Sequence, residues 1–215
     1  MKPNTIDLEF IRGKLQHNKK HFDRSCAPSL SLSGGLNRPR QRPQELPGQG
    51  RVGAVLLVLF KNDDKSGTHF LLTKRSKKLN HHPGQISLPG GSREPDETLE
   101  QTAIRESVEE IRAEEPKLKL LGQLPQIYVP PSDFTVHPFV AWHDPPHLFE
   151  PSLNEVEEIF KIDLKELINP ENQLEGAVGT EKGVIQTGYF LLAGHQVWGA
   201  TATILFDFLR VLGLR

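Results

Sequence analysis

Glu106, Glu109 and Glu110 stand at i, i+3 and i+4, with Arg105 beside them, Glu97 upstream and Gly90-Gly91 before that. On a helix this spacing puts three carboxylates on one face, near enough to share a hard divalent cation. Glu106 and Glu110 repel each other at i, i+4, so the face is favourable only where a cation or an arginine lies among the acids. Such a cluster is a solvated patch or a metal site, and the preceding residues favour the site. Leu88-Pro89-Gly90-Gly91 is a turn signal. Pro95-Asp96-Glu97 reads as a helix start with acids in its first turn. Leu99, Ala103, Ile104, Val108 and Ile111 then form an apolar stripe at helical spacing. A strand, a glycine loop and an amphipathic helix with its acids off the stripe make a coherent scaffold.

The pattern Gly, five residues, Glu, seven residues, Arg-Glu, two residues, Glu-Glu resembles the Nudix box. Gly91, Glu97, Arg105, Glu106, Glu109 and Glu110 match it position by position. The box ends with a glycine and an aliphatic residue where this chain has Arg112 and Ala113. That glycine lets the chain leave the helix at positive φ, so a longer or differently capped helix end is expected here. Upstream, Leu71, Leu72, Thr73, Arg75, Ser76, Gly84, Pro89, Gly90 and Gly91 resemble the additional signature of the coenzyme A pyrophosphatase branch. Asn80 stands where that signature has a second arginine, and Leu88 replaces its phenylalanine. Leu88 is an apolar swap, whereas Asn80 removes a charge that would meet a phosphate and so bears on substrate identity. Residues 135–141, Asn154-Glu155-Val156 and residues 198–202 also resemble the branch, which extends the likeness over about residues 50 to 212.

The resemblance implies metal-dependent hydrolysis of a diphosphate. Mg²⁺ or Mn²⁺ would neutralise phosphoryl oxygens and lower the pKa of a bound water, and hard cations of this kind prefer the oxygens that glutamates supply. Glu106 and Glu110 are the expected principal ligands, with Glu109 as a further or water-mediated one; the general base is open among the three. Arg105 is expected to orient a box glutamate. Glu97 either supports the site or is simply a favourable charge at a helix start. Gly90 and Gly91 would let backbone approach metal or phosphate, or serve only a tight turn. Arg75 is the candidate contact for substrate phosphates, with an exposed strand-end arginine as its plain alternative. His82 is a candidate substrate contact and Glu155 a candidate extra acid or base, and both residue types also occur in such loops without a role. By resemblance the substrate is coenzyme A or an acyl derivative, giving 3′,5′-ADP and (acyl-)4′-phosphopantetheine. ADP-ribose or another nucleoside diphosphate derivative is the enzymatic alternative. A Nudix-fold binding domain with little turnover is the other, and the intact acids argue against it.

Composition bounds the rest. The 215 residues suffice for one domain with a core, and a net charge of −1 predicts no general attraction to nucleic acid or anionic membrane. A small molecule containing a diphosphate is the expected partner, with a homodimer allowed. The single cysteine, Cys26, excludes an intramolecular disulfide and favours a reducing compartment. No apolar run nears the ~20 residues that span a bilayer, and no secretory signal core is visible, so a cytoplasmic protein is expected. Nine histidines show no helical zinc motif.

The chain divides into residues 1–50, a short helix pattern (Leu8, Ile11, Leu15) and a Pro/Gly-rich arm carrying Arg38, Arg40 and Arg42, and residues 51–215, which the resemblance implies form the Nudix domain. Strands are expected at Ala54–Phe60 and His69–Thr73 as a hairpin around Asn62, Asp63 and Gly67, then near residues 118–124, 127–129 and 136–142. Asp163 and Glu166 read as a helix-start pair. Residues 184–192 and 196–198 read as a hairpin, and Ala202, Leu205, Phe206 and Leu209 stripe a final helix. Pattern alone reaches a mixed α+β domain. The resemblance implies a Nudix-like α/β/α sandwich with a mixed sheet.

Overall fold

In this computed structural model residues 6–18, 44, 49–62, 67–79, 83–144, 148–180 and 183–215 are described. Cys26, Arg38, Arg40, Arg42, Asp63, Asn80 and His82 lie outside them. The elements in order are α1 (Leu8–Asn18), β1 (Arg51–Lys61), β2 (Thr68–Arg75), β3 (Ile86–Ser87), β4 (Gly90–Ser92), α2 (Leu99–Ile111), β5 (Leu118–Gln123), β6 (Ile127–Val129), β7 (Phe134–His143), β8 (Val156–Asp163), α3 (Leu164–Ile168), β9 (Gln173–Thr180), β10 (Gly183–Leu192), β11 (His195–Trp198) and α4 (Gly199–Leu212).

β1 is the organising strand. Its run Ala54–Phe60 is apolar at every position because both of its faces are covered, as expected of a central strand. Ala54, Leu56, Val58 and Phe60 pack with Ala103 and Ile111 of α2. Leu57 and Leu59 face the opposite layer, where Ile11 and Leu15 of α1 meet Leu205, Phe208 and Leu209 of α4. The sheet is mixed: β1 runs parallel to β7 and antiparallel to β2 and β4, and β5, β6 and β8 are antiparallel to their neighbours. This is the expected α/β/α sandwich. A second sheet, ordered β11-β10-β9, sends Phe190, Leu192 and Val197 into the α1/α4 core.

Several local expectations are corrected. The α2 helix does not start at Pro95-Asp96-Glu97, because Asp96 sits at φ 66°. Thr98 is the N-cap, taking the Gln101 N–H at 3.2 Å while the Gln101 side chain takes the Thr98 N–H at 2.8 Å. Nor is the helix longer or differently closed at its other end. It stops at Ile111, and Arg112 adopts the left-handed φ of 56° in the place where the box carries glycine. Of the Asp163–Glu166 pair, Asp163 caps α3 through the Lys165 N–H at 2.8 Å, whereas Glu166 instead takes the Ala193 N–H at 2.6 Å. Strands β8 and β9 were not expected, since charges interrupt the alternation of one and Gly176 and Gly179 dilute the other.

Candidate active site

The site forms where the sheet splits. β1 and β2 pair only over Leu59–Lys61 and Thr68–Phe70. Beyond that they diverge, and residues 86–92 enter the gap: β3 pairs with β2, β4 pairs with β1, and the buried Leu88 pins the segment into the core. Helix α2 closes over β4. Gly90, at φ 154°, lies so close to β1 that a Cβ would strike Ala54 O and Val55 Cα, and a Cβ on Gly91 would strike the Glu106 carboxylate. Backbone packed on backbone at a positive φ thus demands glycine at 90, whereas at 91 a side chain would have to displace the end of Glu106.

Arg105 is the hub on one side. Its Nε donates to Glu97 Oε1 at 2.6 Å, its Nη1 to Glu106 and Glu109 at 3.0 Å each, and its Nη2 to the Ser92 carbonyl at 3.1 Å. Glu97 also takes Thr102 Oγ1–H at 2.9 Å and the Glu94 N–H at 3.1 Å. The Arg105 hydrogen bond, chiefly, holds the Glu97 carboxyl down at about 2, and the same bond raises the arginine's own pKa. This cluster fixes the glycine loop to the helix.

Glu110 is in a different state. Its side chain is only 5% exposed, its polar neighbours are the Gly90 N–H at 3.3 Å and Arg75 Nη1 at 3.9 Å, and burial lifts its pKa to about 8 against the pull of Arg75. Burial likewise raises Glu106, against Arg105. Glu155 adds a further negative charge to both, which brings the residue singled out from Asn154-Glu155-Val156 to this site. Arg75 is set by the β2–β3 turn, its N–H donating to Gln85 O and its carbonyl accepting the Gly84 N–H, each at 3.0 Å. Its Nε is buried without a hydrogen-bond partner among the described residues.

The structure therefore brings together Gly90, Gly91, Glu97, Arg105, Glu106, Glu110 and Arg75. Glu109 stands at the rim, its side chain 52% exposed and tied to Arg105. Among the described residues no three acid, histidine or cysteine groups form a ready metal cage, because Arg105 holds Glu106 and Glu109 while Glu110 turns to Gly90 and Arg75. Sequence reasoning missed Thr102 and the Ser92 carbonyl. Nothing in the spacing of a buried threonine and a backbone oxygen marks them, since both depend on how the loop folds back on α2.

A NUDIX domain profile matches residues 50–180. The chain belongs to the Nudix family, and it is a Nudix hydrolase. Nudix hydrolase NudL of Photorhabdus laumondii is 31% identical over 82% of this chain and 95% of its own length. Nudix hydrolase 3 of Caenorhabditis elegans is 35% identical over 74% of this chain and 72% of its own. The human protein named mitochondrial coenzyme A diphosphatase NUDT8 is 35% identical over 84% of this chain and 75% of its own. Among solved structures, the Nudix hydrolase RenU of M. smegmatis aligns over 54% of this chain and 73% of its own, with 24% identity and a TM-score of 0.46.

Proposed function

We propose that this Nudix hydrolase cleaves the diphosphate of coenzyme A or acyl-coenzyme A, giving 3′,5′-ADP and (acyl-)4′-phosphopantetheine. One observation carries the chemistry. Glu110 is a buried carboxylate short of positive partners, set beside the half-buried Glu106, with the Arg75 guanidinium opposite. A buried carboxylate with so little positive charge, beside a second that Arg105 holds in place, suits an oxygen-seeking divalent cation. Glu106 and Glu110 would hold it, with Glu109 at the rim as a further or water-mediated ligand. A bound Mg²⁺ or Mn²⁺ would supply charge neutralisation at the phosphoryl oxygens and a water of lowered pKa.

Each remaining part has a stated task in this reading. Arg105 and Glu97 lock the loop and keep Glu106 oriented. Arg75 presents a fixed guanidinium with unused donor capacity to the phosphates. Glu155 is a further carboxylate available for proton transfer. The match to a protein named as a coenzyme A diphosphatase, together with the Leu71–Gly91 signature, favours coenzyme A over ADP-ribose. Among the described residues no helix is long and apolar enough to cross a membrane, and the cytoplasm is the proposed compartment.

The test is to offer purified protein coenzyme A, ADP-ribose and dinucleotides with Mg²⁺ or Mn²⁺ and to identify products by mass spectrometry. Release of 3′,5′-ADP from coenzyme A is expected. Preferential cleavage of ADP-ribose rejects the substrate, and folded, metal-supplied protein that cleaves nothing rejects the turnover.

A further inference from the structure

We propose that residues 149–155 form a strap that sets the spacing between Glu110 and Arg75, with Phe149 as its anchor and a positioning residue for the site. The inference rests on the reading above, in which Glu110 and Arg75 serve diphosphate hydrolysis, and it names the part of the chain that holds them in place. Glu110 comes from α2 and Arg75 from β2, yet their side chains approach to 3.9 Å. The end of one element must therefore be registered against the end of the other.

Backbone bonding is the first argument. The last carbonyls of a helix have no partner within it, and here a distant segment supplies donors. The Glu150 N–H donates to the Ile111 carbonyl at 3.2 Å and the Ser152 N–H to the Glu110 carbonyl at 2.9 Å. The Ser152 carbonyl accepts the Glu155 N–H at 2.9 Å, and the Glu155 carbonyl accepts the Ser76 N–H at 2.8 Å. Three backbone bonds thus lead from Glu110 to Ser76, the neighbour of Arg75. Sheet pairing is the second argument. β2 and β8 stay in register as far as Lys74 opposite Glu158, then shift, so that Arg75 lies opposite Val156. A shift of this kind bends the strand and re-aims the side chains beside it. It falls where the strap enters β8.

Anchorage is the third argument, and it singles out Phe149. Between Phe149 and Val156, both buried, no residue is buried, and Leu153 is 70% exposed. The strap therefore hangs from these two points. Val156 is already paired in the sheet, which leaves Phe149 as the anchor that one substitution can release. Its ring meets Phe60 of β1 with centroids 5.4 Å apart and His143 of β7 edge-on at 5.1 Å, in the apolar layer that α2 covers. Aromatic pairs at such separations favour defined ring geometries. The same strap brings the charge of Glu155 to Glu106 and Glu110.

The test compares Phe149→Ala with Leu205→Ala, a truncation at a fully buried position in the opposite core layer. Folded Phe149→Ala should lower kcat for coenzyme A by about 10²-fold with KM within about threefold, because reacting groups misplaced by about 1 Å lose that much. Mn²⁺ affinity of the substrate-free protein, read by electron paramagnetic resonance of the free ion, should fall about tenfold, as when groups that orient ligands are lost. Amide exchange at Ser152 and Ser76 should quicken relative to the rest of the sheet, since both N–H groups bond through the strap. Leu205→Ala should lower the urea midpoint but leave kcat, Mn²⁺ affinity and that relative exchange within about twofold. Phe149→Leu, which keeps most of the apolar volume, should fall between, with kcat down about fivefold. It decides the question where the alanine variant does not fold. Folded Phe149→Ala that matches Leu205→Ala in all three readouts overturns the assignment, as do wild-type values in Phe149→Leu when alanine prevents folding. If the wild-type protein cleaves no diphosphate substrate, the functional reading has failed, while Mn²⁺ binding and exchange still decide whether Phe149 holds the site.

Discussion

Residues 71–88 and residues 89–112 sit side by side in the split of the sheet and use their side chains in opposite ways. In the upstream segment Leu71, Leu72, Thr73, Ser76 and Leu88 are buried, and Thr73 Oγ1 lies 3.0 Å from Ser87 Oγ across the β2–β3 pair. Of the described side chains in this segment, Arg75 is the one that comes within reach of the acids. In the downstream segment Glu97, Arg105, Glu106 and Glu109 bond to one another, while Thr102, Ala103, Ser107 and Ile111 do the packing. One motif is thus mostly a device for placing a single cation, and the other mostly a device for placing anions. A signature string therefore mixes residues that hold position with residues that do chemistry, and burial and partners separate them.

The largest effect expected from breaking this contrast is at Glu110. Glu110→Gln should lower kcat by about 10³-fold, because it removes a charged oxygen from the proposed cation site while keeping the shape. Steady-state turnover of coenzyme A checks it, and near-normal activity removes Glu110 from the working set. The same substitution should make the metal-free protein more stable at pH 8, since a neutral amide takes the place of a buried carboxylate. Thermal unfolding with a chelator present reads that second effect.

The pH dependence follows with its sign. The Glu110 pKa of about 8 lies above the ordinary 4.5, so the folded protein keeps a proton that the unfolded chain has lost. Its contribution to stability is complete below about pH 4.5, falls as pH rises to about 8, and is on the order of 5 kcal/mol over that window. Glu97, held near 2, acts oppositely: its stabilisation is present above 4.5 and lost as pH falls toward 2. Metal-free protein should therefore show Tm falling from pH 5 to pH 8. That slope should flatten when Mg²⁺ is added, and also in Glu110→Gln without metal. An unchanged slope in the variant would assign the titration elsewhere.

Within the upstream segment the contrast sharpens into a pair. Leu72→Ala, at a fully buried site in the main core, should cost about 2–5 kcal/mol of stability and leave KM unchanged in the folded fraction. Arg75→Ala, three residues on, should lower kcat/KM by about 10²-fold with little change in stability, and Arg75→Lys should recover part of the loss because it keeps the charge without the fork. Urea unfolding and steady-state kinetics on both proteins separate the roles. A large stability loss in Arg75→Ala would make it another packing residue.

What could be read from residues alone follows the same physics. The Ala54–Phe60 run was legible because covering both faces of a strand leaves an unbroken apolar stretch. The acids at 106, 109 and 110 were legible as one helical face. The difference between them was not, because the burial of Glu106 and Glu110 and the exposure of Glu109 depend on which side β4 approaches. Pro95 and the acids after it drew the helix start too early, while Thr98 and Gln101 held the cap. β8 and β9 carry charges and glycines that pairing partners tolerate but that alternation does not reveal.

The smallest effect expected lies where the box motif and this chain differ. Arg112 ends α2 in the left-handed region, with its N–H donating to Ser107 O and the Ala113 N–H reaching the same carbonyl at 3.3 Å. A side chain with a Cβ is strained there by about 1 kcal/mol, and glycine is not. Glycine also gives the unfolded chain more freedom, which offsets part of that gain. Arg112→Gly should therefore stabilise the protein by up to about 1 kcal/mol, with Arg112→Asn falling between the two, and neither should change kcat or KM. The urea midpoint measures it. A loss of stability instead would mean that contacts of the exposed arginine outweigh its backbone strain, and that this chain closes α2 by side-chain contacts where the box motif relies on the freedom of a glycine.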